Sequence, residues 1–175
     1  MSVIVFAETD NGKLKKSSLE AVSYGKDTAQ LISGKCVAFA AGNLDDGQKE
    51  LLANAGADEI VHVNAEVYAQ FTPERYAAAM AEIAENKNCH TVIISHTYNG
   101  KSLGPRLAVR MKAAIITGVV SLADTSNGFK LKKTCFSNKA FSMVNVQNEK
   151  KVIGIVPNSY EVKEHHAAGE YTAAT

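Results

Sequence analysis

Short apolar runs alternate with amphipathic stretches over the first 111 residues of the chain. The runs are rich in β-branched residues, and they lie at 3–7, 35–41, 58–63 and 90–95. The stretches that follow them space apolar residues three or four positions apart, as a helix with one buried face requires; they lie at 17–33, 44–57, 72–87 and 96–111. Strands and helices in this alternation predict βαβ units and a parallel sheet.

Local signals mark where two of these helices begin. Asp45 followed by Gln48 predicts a capping box at the start of the second helix. Thr72 followed by Pro73 predicts an N-cap and a first helical position for the third. Gly25 falls on the apolar stripe of the first helix, where the missing side chain would allow the helix to approach the sheet closely.

The remainder of the chain has a different pattern. Strand-like segments separated by short turn sequences follow the fourth helix, at 113–125, 129–136, 140–147 and 151–157, and predict an antiparallel β-meander. We therefore expect one α/β domain over residues 1–157, doubly wound around a mostly parallel sheet, with the meander extending or covering one sheet edge. Residues 158–175 show no convincing strand or helix and are interpreted as a linker or tail.

Composition adds little to this picture but excludes some functions. A chain of 175 residues with 46% hydrophobic residues is large enough for one domain with a sizeable core. The net charge of +1 gives no electrostatic reason to expect binding to nucleic acid or to an anionic membrane. Lys130, Lys132 and Lys133 could form a local basic patch, but a solvated strand face is the expected role.

The cysteines and the termini indicate a reducing compartment. The chain has three cysteines, Cys36, Cys89 and Cys135, and no two of them have the CxxC spacing. An odd, widely spaced set argues against a disulfide framework or a zinc site. Cys36 and Cys89 adjoin apolar strands and are expected to be small buried residues. The N-terminus shows no secretory signal, and no apolar run approaches the roughly 20 residues of a membrane span. We expect the cytoplasm, or the mitochondrial matrix in a eukaryote.

The best candidate binding element is the turn at 97–102, which follows the fourth strand and opens the fourth helix. Asn99, Gly100, Lys101 and Ser102 would offer free backbone N–H groups, a positive charge and a hydroxyl to a phosphate. The spacing is not that of a P-loop, and the acidic Glu8 after the first strand, with Asp10, would repel a phosphate. A plain strand-to-helix turn, in which Asn99 and Gly100 supply unusual backbone angles, remains the alternative.

No catalytic set is evident. His96 lies near the ligand-binding end of a strand and is the best general-base candidate, but no acidic residue is placed in sequence to orient it. A hydrolase or transferase using this cleft would need His96 or Glu8. His165 and His166 are adjacent on a segment without further ligands, so a metal site there is not expected.

Several strings, in order, carry a resemblance to a known family. They are the opening "VIVFAETDNGKLKKSSLEAVSYG", "GNLDDGQKELLANAGADEIVHV", "GKSLGPRLAVRMKAAIITGVVSL" and the segment "FKLKKTCFSNKAFSMV". The chain resembles the N-terminal domain of the electron transfer flavoprotein alpha subunit over nearly its whole length. Ser137 stands where that family has glycine, and Lys139 is an extra residue, so the resemblance leaves the geometry of this hairpin open.

The resemblance implies a Rossmann-like fold of the adenine-nucleotide-alpha-hydrolase type, acting as a scaffold and subunit interface rather than as an enzyme. It implies a beta-subunit partner, transient dehydrogenase partners, FAD in the complete complex and a membrane-linked acceptor. FAD is not expected in this chain alone, and AMP is possible in the beta subunit. The segments 113–120 and 140–146 are the candidates for an exposed apolar patch at the interface. The alternative is a stand-alone adenine-nucleotide-binding module that uses the 97–102 turn.

Overall fold

A computed structural model describes residues 1–174 of the chain. The alternation of apolar runs and amphipathic stretches becomes the first half of the fold: β1 (Ser2–Phe6), β2 (Thr9–Asp10), β3 (Lys13–Leu14), α1 (Lys16–Leu31), β4 (Cys36–Ala41), α2 (Asp46–Ala55), β5 (Glu59–Val63), α3 (Pro73–Asn86), β6 (Cys89–Ser95) and α4 (Tyr98–Met111). The remainder of the described chain forms β7 (Ala114–Val119), β8 (Lys130–Cys135), β9 (Ala140–Asn145), β10 (Lys151–Ile155) and β11 (Glu170–Ala174).

One nine-stranded sheet organises the molecule, in the order β11-β5-β4-β1-β6-β10-β7-β8-β9. Pairing is parallel from β11 across to β7 and antiparallel from β7 through β8 to β9. The predicted α/β class with a mostly parallel, doubly wound sheet is therefore confirmed. The short strands β2 and β3 form a separate two-stranded hairpin after β1.

Helices cover both faces of the sheet, which is why its central strands carry apolar side chains on both faces. Val3 and Val5 of β1 pack in the core formed with α1 and α2. Ile4 and Phe6 pack on the opposite face, in the core formed with α3 and α4. A parallel strand buried on both faces loses the alternation of polar and apolar residues, as this sequence does.

The predicted helix starts are only partly confirmed. Asp45 accepts a hydrogen bond from the backbone N–H of Gln48 at 2.9 Å and is the N-cap. The predicted reciprocal hydrogen bond, from the backbone N–H of Asp45 to the Gln48 side chain, is wrong. The Gln48 side chain accepts the backbone N–H of Leu14 instead. Pro73 begins α3 as predicted, but the Thr72 side chain makes no capping hydrogen bond.

The predicted meander is partly wrong. The β8–β9 hairpin is antiparallel and extends the sheet edge, as expected. The segment 151–157 does not continue it, because β10 returns to the sheet interior and lies parallel between β6 and β7. Its apolar residues Val152, Ile153 and Ile155 are buried, which is the pattern of a central parallel strand rather than of an edge.

The C-terminal segment is an ordered strap rather than an irregular tail. This strap, residues 158–174, crosses α1 and α2 and ends as β11, which pairs in parallel with β5. Its path over α2 is held by backbone hydrogen bonds from His165 to Asn54 at 2.8 Å and from Ala167 to Ala53 at 3.1 Å. The expectation of no strand after residue 158 is wrong, because β11 pairs with β5 along its backbone and the Tyr171 hydroxyl lies 2.9 Å from Nδ1 of the buried His62. A continuation toward a further domain stays a prediction.

Three side chains of the strap contact one carboxylate on α1, that of Asp27. Asp27 is 8% exposed, and it accepts hydrogen bonds from the Tyr160 hydroxyl and the Lys163 ammonium group. The Nε2 atom of His165 lies 3.4 Å from the other carboxylate oxygen of Asp27. The Asp27 hydrogen bond raises the pKa of Lys163, as expected when a lysine gains an anionic partner.

Gly25 of α1 allows the close approach to the sheet that the sequence predicted. A Cβ atom at this position would overlap the Cγ2 atom of Val5 in β1 and crowd the sulfur of Cys36 in β4. We expect Gly25→Ala to lower the free energy of unfolding by about 1–3 kcal/mol, because the buried neighbours have no free space to move into. Urea unfolding followed by circular dichroism measures the change.

Gly47→Ala is the matched control, because Gly47 lies in the first turn of α2 and the nearest atom to an added Cβ is 3.4 Å away. Its free energy of unfolding should stay constant or rise by up to about 1 kcal/mol, as alanine favours the helix. Equal loss in both variants would show that the contact with Val5 is not the cause.

Asp27→Asn tests whether the strap opens separately from the rest of the fold. Losing the charge at Asp27 should lower the free energy of strap opening by about 1–3 kcal/mol. Hydrogen exchange should accelerate at His165, Ala167 and Gly169, whereas the amides of β1 should not change. Glu164→Gln is the control, since this side chain is 84% exposed and its ion-pair partner is His166, at 3.7 Å, rather than a residue of α1. Uniform acceleration over the whole chain would contradict a separately opening strap.

Candidate functional site

The candidate site lies where the winding of the sheet reverses. From β1 the chain proceeds outward to β4 and β5, and then β6 is added on the other side of β1. Parallel α/β sheets bind ligands beyond the carboxyl ends of their strands at this reversal. Here the segments leaving β1 and β6 carry Glu8 and Thr97.

Glu8 forms the polar centre of this site. Its side chain is 4% exposed, and one carboxylate oxygen accepts hydrogen bonds from the Lys15 ammonium group at 2.6 Å and the Asn99 amide at 2.8 Å. The other oxygen accepts the Thr97 hydroxyl at 2.7 Å. The backbone carbonyl of Glu8 accepts the hydroxyl of Ser18 at 2.7 Å. The carboxylate therefore ties the ends of β1 and β6 to the start of α4.

The residues predicted for a phosphate-binding loop lie in the first turns of α4 instead. Thr97 is the N-cap, and its hydroxyl oxygen accepts the backbone N–H of Gly100 at 3.1 Å. The Ser102 hydroxyl donates to the carbonyl of Asn99 at 2.9 Å. Lys101 is exposed.

Gly100 has a packing role that the sequence did not reveal. A Cβ atom there would overlap the carbonyl oxygen of Ser95, so glycine lets α4 begin directly against the end of β6. The expected unusual backbone angles at Asn99 and Gly100 are wrong, because neither residue has a positive φ. Nucleotide binding at 97–102 stays a prediction, and the carboxylate of Glu8 opposes a phosphate at this position.

A cleft of about 470 Å³ opens onto this carboxylate. The turn at Asn11 and Gly12 forms one side, and Tyr68 and Phe71 form the other. Tyr76 lies in an aromatic cluster beneath, with its ring 4.9 Å from that of Phe71. The cleft thus combines aromatic walls with an acidic floor, which suits neutral or cationic groups better than anions.

A second cavity, of about 710 Å³, lies at the opposite ends of the strands. It lies between the last turns of α3 and α4, and its lining includes Glu85, Cys89 and Arg110. Burial raises the pKa of the Cys89 thiol to about 12, so this sulfur is a protonated, unreactive group near neutral pH. Cys36 is likewise buried and unpaired, as the sequence predicted for both residues.

His96, the general-base candidate, is half-buried at the end of β6. Burial, with added repulsion from Lys101 and Lys133, holds its pKa below the usual range. A lowered pKa leaves the imidazole neutral near pH 7, as a base requires. A general base becomes an imidazolium when it accepts a proton, and a neighbouring carboxylate would stabilise that cation. The charged neighbours that shift the pKa of His96 are the lysines Lys101 and Lys133 instead.

The remaining histidine candidates point to separate partners. His165 faces Asp27, and the Nδ1 atom of His166 lies 3.4 Å from the side-chain oxygen of Asn54. Within residues 1–174, no three His, Cys, Asp or Glu side chains come together as a metal site would require. In the same range, no helix combines the length and apolar character needed to cross a bilayer.

An exposed apolar patch follows the edge of the β8–β9 hairpin. Phe136, Phe141 and Met143 are 80%, 60% and 58% exposed. The expectation for 140–146 is thus confirmed for the outward face of β9, and the ammonium group of Lys132 lies over the Phe141 ring at 4.4 Å. The expectation for 113–120 holds for Ile115, which is 38% exposed, but not for Ile116 and Val119, which are buried because β7 lies between β10 and β8.

The sheet order and its antiparallel extension define a Rossmann-like α/β domain. Comparison with known proteins then identifies the family. The family model for the electron transfer flavoprotein domain matches residues 3–175, and the chain belongs to this family. The resemblance to the N-terminal domain of the alpha subunit is thereby confirmed.

Named relatives agree with this assignment. The chain is 26% identical over 162 residues to the electron transfer flavoprotein subunit alpha of Bacillus subtilis (strain 168), covering 93% of this chain and 49% of that protein. It is 32% identical over 121 residues to the subunit alpha of Clostridium acetobutylicum, covering 69% and 36%. An acryloyl-CoA reductase electron transfer subunit beta of Anaerotignum propionicum is 26% identical over 125 residues, covering 71% and 34%. The chain spans half or less of the length of these relatives.

The lowered pKa of His96 predicts how stability depends on pH. The native state binds a proton at His96 less tightly than the unfolded chain does, so the folded state loses stability as the pH falls through the ordinary value near 6.5. We expect His96→Gln to lose less stability than the wild type as the pH falls from about 7.5 to about 5.5. Urea midpoints measured across this interval test the prediction.

His166→Gln is the control for this experiment, because the His166 side chain is 71% exposed. Its pH dependence should match that of the wild type. If His96→Gln also follows the wild-type curve, His96 does not contribute to the pH dependence.

Proposed function

We propose that this chain is the scaffold and subunit-interface part of an electron transfer flavoprotein alpha subunit. Together with a beta subunit and FAD, the complete protein carries electrons from dehydrogenases to a membrane-linked acceptor. Its location is the bacterial cytoplasm or, in a eukaryote, the mitochondrial matrix. The observation that carries the interface role is the exposed apolar edge formed by Phe136, Phe141 and Met143.

The position of this patch suits a partner subunit. β9 is the last strand of the sheet within residues 1–174, so the backbone groups on its outer side are unpaired. Natural proteins protect such edges, and a long edge with exposed aromatic residues is a place for another chain to bind. Phe141 and Met143 point to the face away from buried Leu131 and would be covered by a partner.

FAD does not fit the cleft of this chain. The groups lining it include the carboxylates of Glu8 and Asp10, which would repel the diphosphate of FAD. Lys15, the cation in the lining, is already paired with Glu8. We therefore assign FAD binding to parts of the complete complex other than residues 1–174.

The electron-carrier role also agrees with the surroundings of His96. Two lysines repel a proton from this imidazole, and Glu8 is engaged by Lys15, Thr97 and Asn99. Neither candidate is arranged as a member of an acid–base pair. The relatives are named as electron transfer subunits, and a scaffold needs no catalytic set of its own.

The interface is tested by co-expressing the complete alpha subunit with the beta subunit encoded by the same organism. The variant Phe141→Ser with Met143→Ser should weaken the complex by at least about tenfold, because truncating the few anchors that dominate an interface costs about 2 kcal/mol or more. Complex formation is measured by titration after purification, and flavin content by absorbance.

Val109→Ser is the matched control, because Val109 is 80% exposed on α4, away from the hairpin. It should leave the affinity unchanged. An unchanged affinity in the double variant would place the interface elsewhere, and failure of the wild type to bind any beta subunit would reject the proposed function.

A further inference from the structure

The floor of the cleft contains a negative charge that the chain itself supplies. Glu8 is 3% exposed and accepts hydrogen bonds from an ammonium group, a hydroxyl and a side-chain amide. Lys15 lies just before α1, whereas Thr97 and Asn99 lie at the start of α4, and all three side chains converge on this one carboxylate. Donors of these types, converging at the start of a helix, also suit a bound phosphate.

We propose that Glu8 determines which ligands the cleft admits, because its carboxylate takes the place that a small anion would otherwise take. An anion arriving at Thr97 and Asn99 would find both side-chain donors in use. It would also gain no net attraction from Lys15, since the positive charge of that ammonium group is already balanced by Glu8 at 2.6 Å. The cleft is thereby closed to phosphates and stays open to neutral and cationic groups.

The size of the cleft leaves room for an anion, so we attribute the exclusion to charge rather than to access. The space of about 470 Å³ adjoins both Glu8 and Asn99, so a ligand of nucleotide size could approach them. Asp10 also lines the cleft, but it is exposed, and its carboxylate accepts a hydrogen bond from the neighbouring Asn11 amide at 3.1 Å. Glu8 is therefore the acidic group whose removal would free the donors.

The inference goes beyond the proposed function and does not depend on it. It concerns ligand binding by this chain, whereas the proposed function concerns pairing through the β8–β9 hairpin. If the ligand test fails, the proposed interface is unaffected, and the reverse also holds. The cleft and the hairpin use different residues, and the two experiments measure different quantities.

The test compares phosphate binding by the wild type and by Glu8→Ser, which removes the carboxylate and leaves Lys15, Thr97 and Asn99 free. Inorganic phosphate and AMP are titrated, with adenosine as the probe that lacks a phosphate. The melting temperature reports binding, and the side-chain amide resonance of Asn99 in nitrogen-15 NMR spectra reports its place. We expect at least about tenfold tighter phosphate binding in Glu8→Ser than in the wild type, and no gain for adenosine.

Two further variants keep the test decisive. Asp10→Asn removes the other carboxylate of the cleft and should gain no phosphate affinity; a gain equal to that of Glu8→Ser would show that overall charge, not the Glu8 contacts, excludes anions. Glu8→Gln retains the size of the side chain and serves as the second variant if Glu8→Ser does not fold. It should gain phosphate affinity, but less than Glu8→Ser, because its amide still occupies the space of the carboxylate. Saturable phosphate binding by the wild type, or no gain in any folded Glu8 variant, overturns the proposal.

Discussion

Burial of both faces of the central strands is the constraint on which the remaining structure depends. β1, β6 and β10 present apolar side chains on both sides, so the sheet is stable only when helices cover each face. The four crossover helices meet this need in two pairs, with α1 and α2 on one face and α3 and α4 on the other. Because each pair winds outward from β1 in a different direction, the carboxyl ends of β1 and β6 become neighbours.

The same winding brings distant polar residues together at one point. Glu8 and Asn99 are 91 positions apart in sequence, yet their side chains are 2.8 Å apart. A buried carboxylate is costly unless it is paired and hydrogen-bonded, and Lys15 and Thr97 meet that requirement. Parallel α/β sheets commonly bind a ligand beyond the ends of these strands. In this chain the same region is cross-linked by the ion pair and hydrogen bonds of Glu8. Two polar residues of the turn at 97–102, Thr97 and Asn99, thus hydrogen-bond to Glu8.

The two edges of the sheet differ in how they are protected. At one edge the strap supplies β11, with Asp27 fixing its path across α1. At the other edge β9 carries no neighbouring strand within residues 1–174 and presents Phe141 and Met143 to solvent. An uncovered strand edge with exposed apolar side chains is a place where another chain can bind, which is the role that we propose for it.

Local sequence was sufficient for the elements and the class of fold, because the period of apolar residues and the helix caps depend on neighbours a few positions away. It located all four helices and the first four strands of the large sheet, and it recognised that Gly25 permits close packing. It located the strand β10 but assigned it to the antiparallel meander, and it did not predict β11. Strand partners depend on tertiary contacts, such as the pairing of β11 with β5, which residue spacing along the chain does not show.

The candidate site divides in the same way. The sequence by itself established that a helix begins after β6 with polar residues at its start, and that Glu8 is unfavourable for a phosphate. Only the tertiary structure decided that Glu8, Lys15, Thr97 and Asn99 form one hydrogen-bonded group and that Phe141 is exposed whereas Ile116 is buried. Both features depend on the spatial order of the strands in the sheet. That order determines which distant side chains can hydrogen-bond and which strands are buried between neighbours.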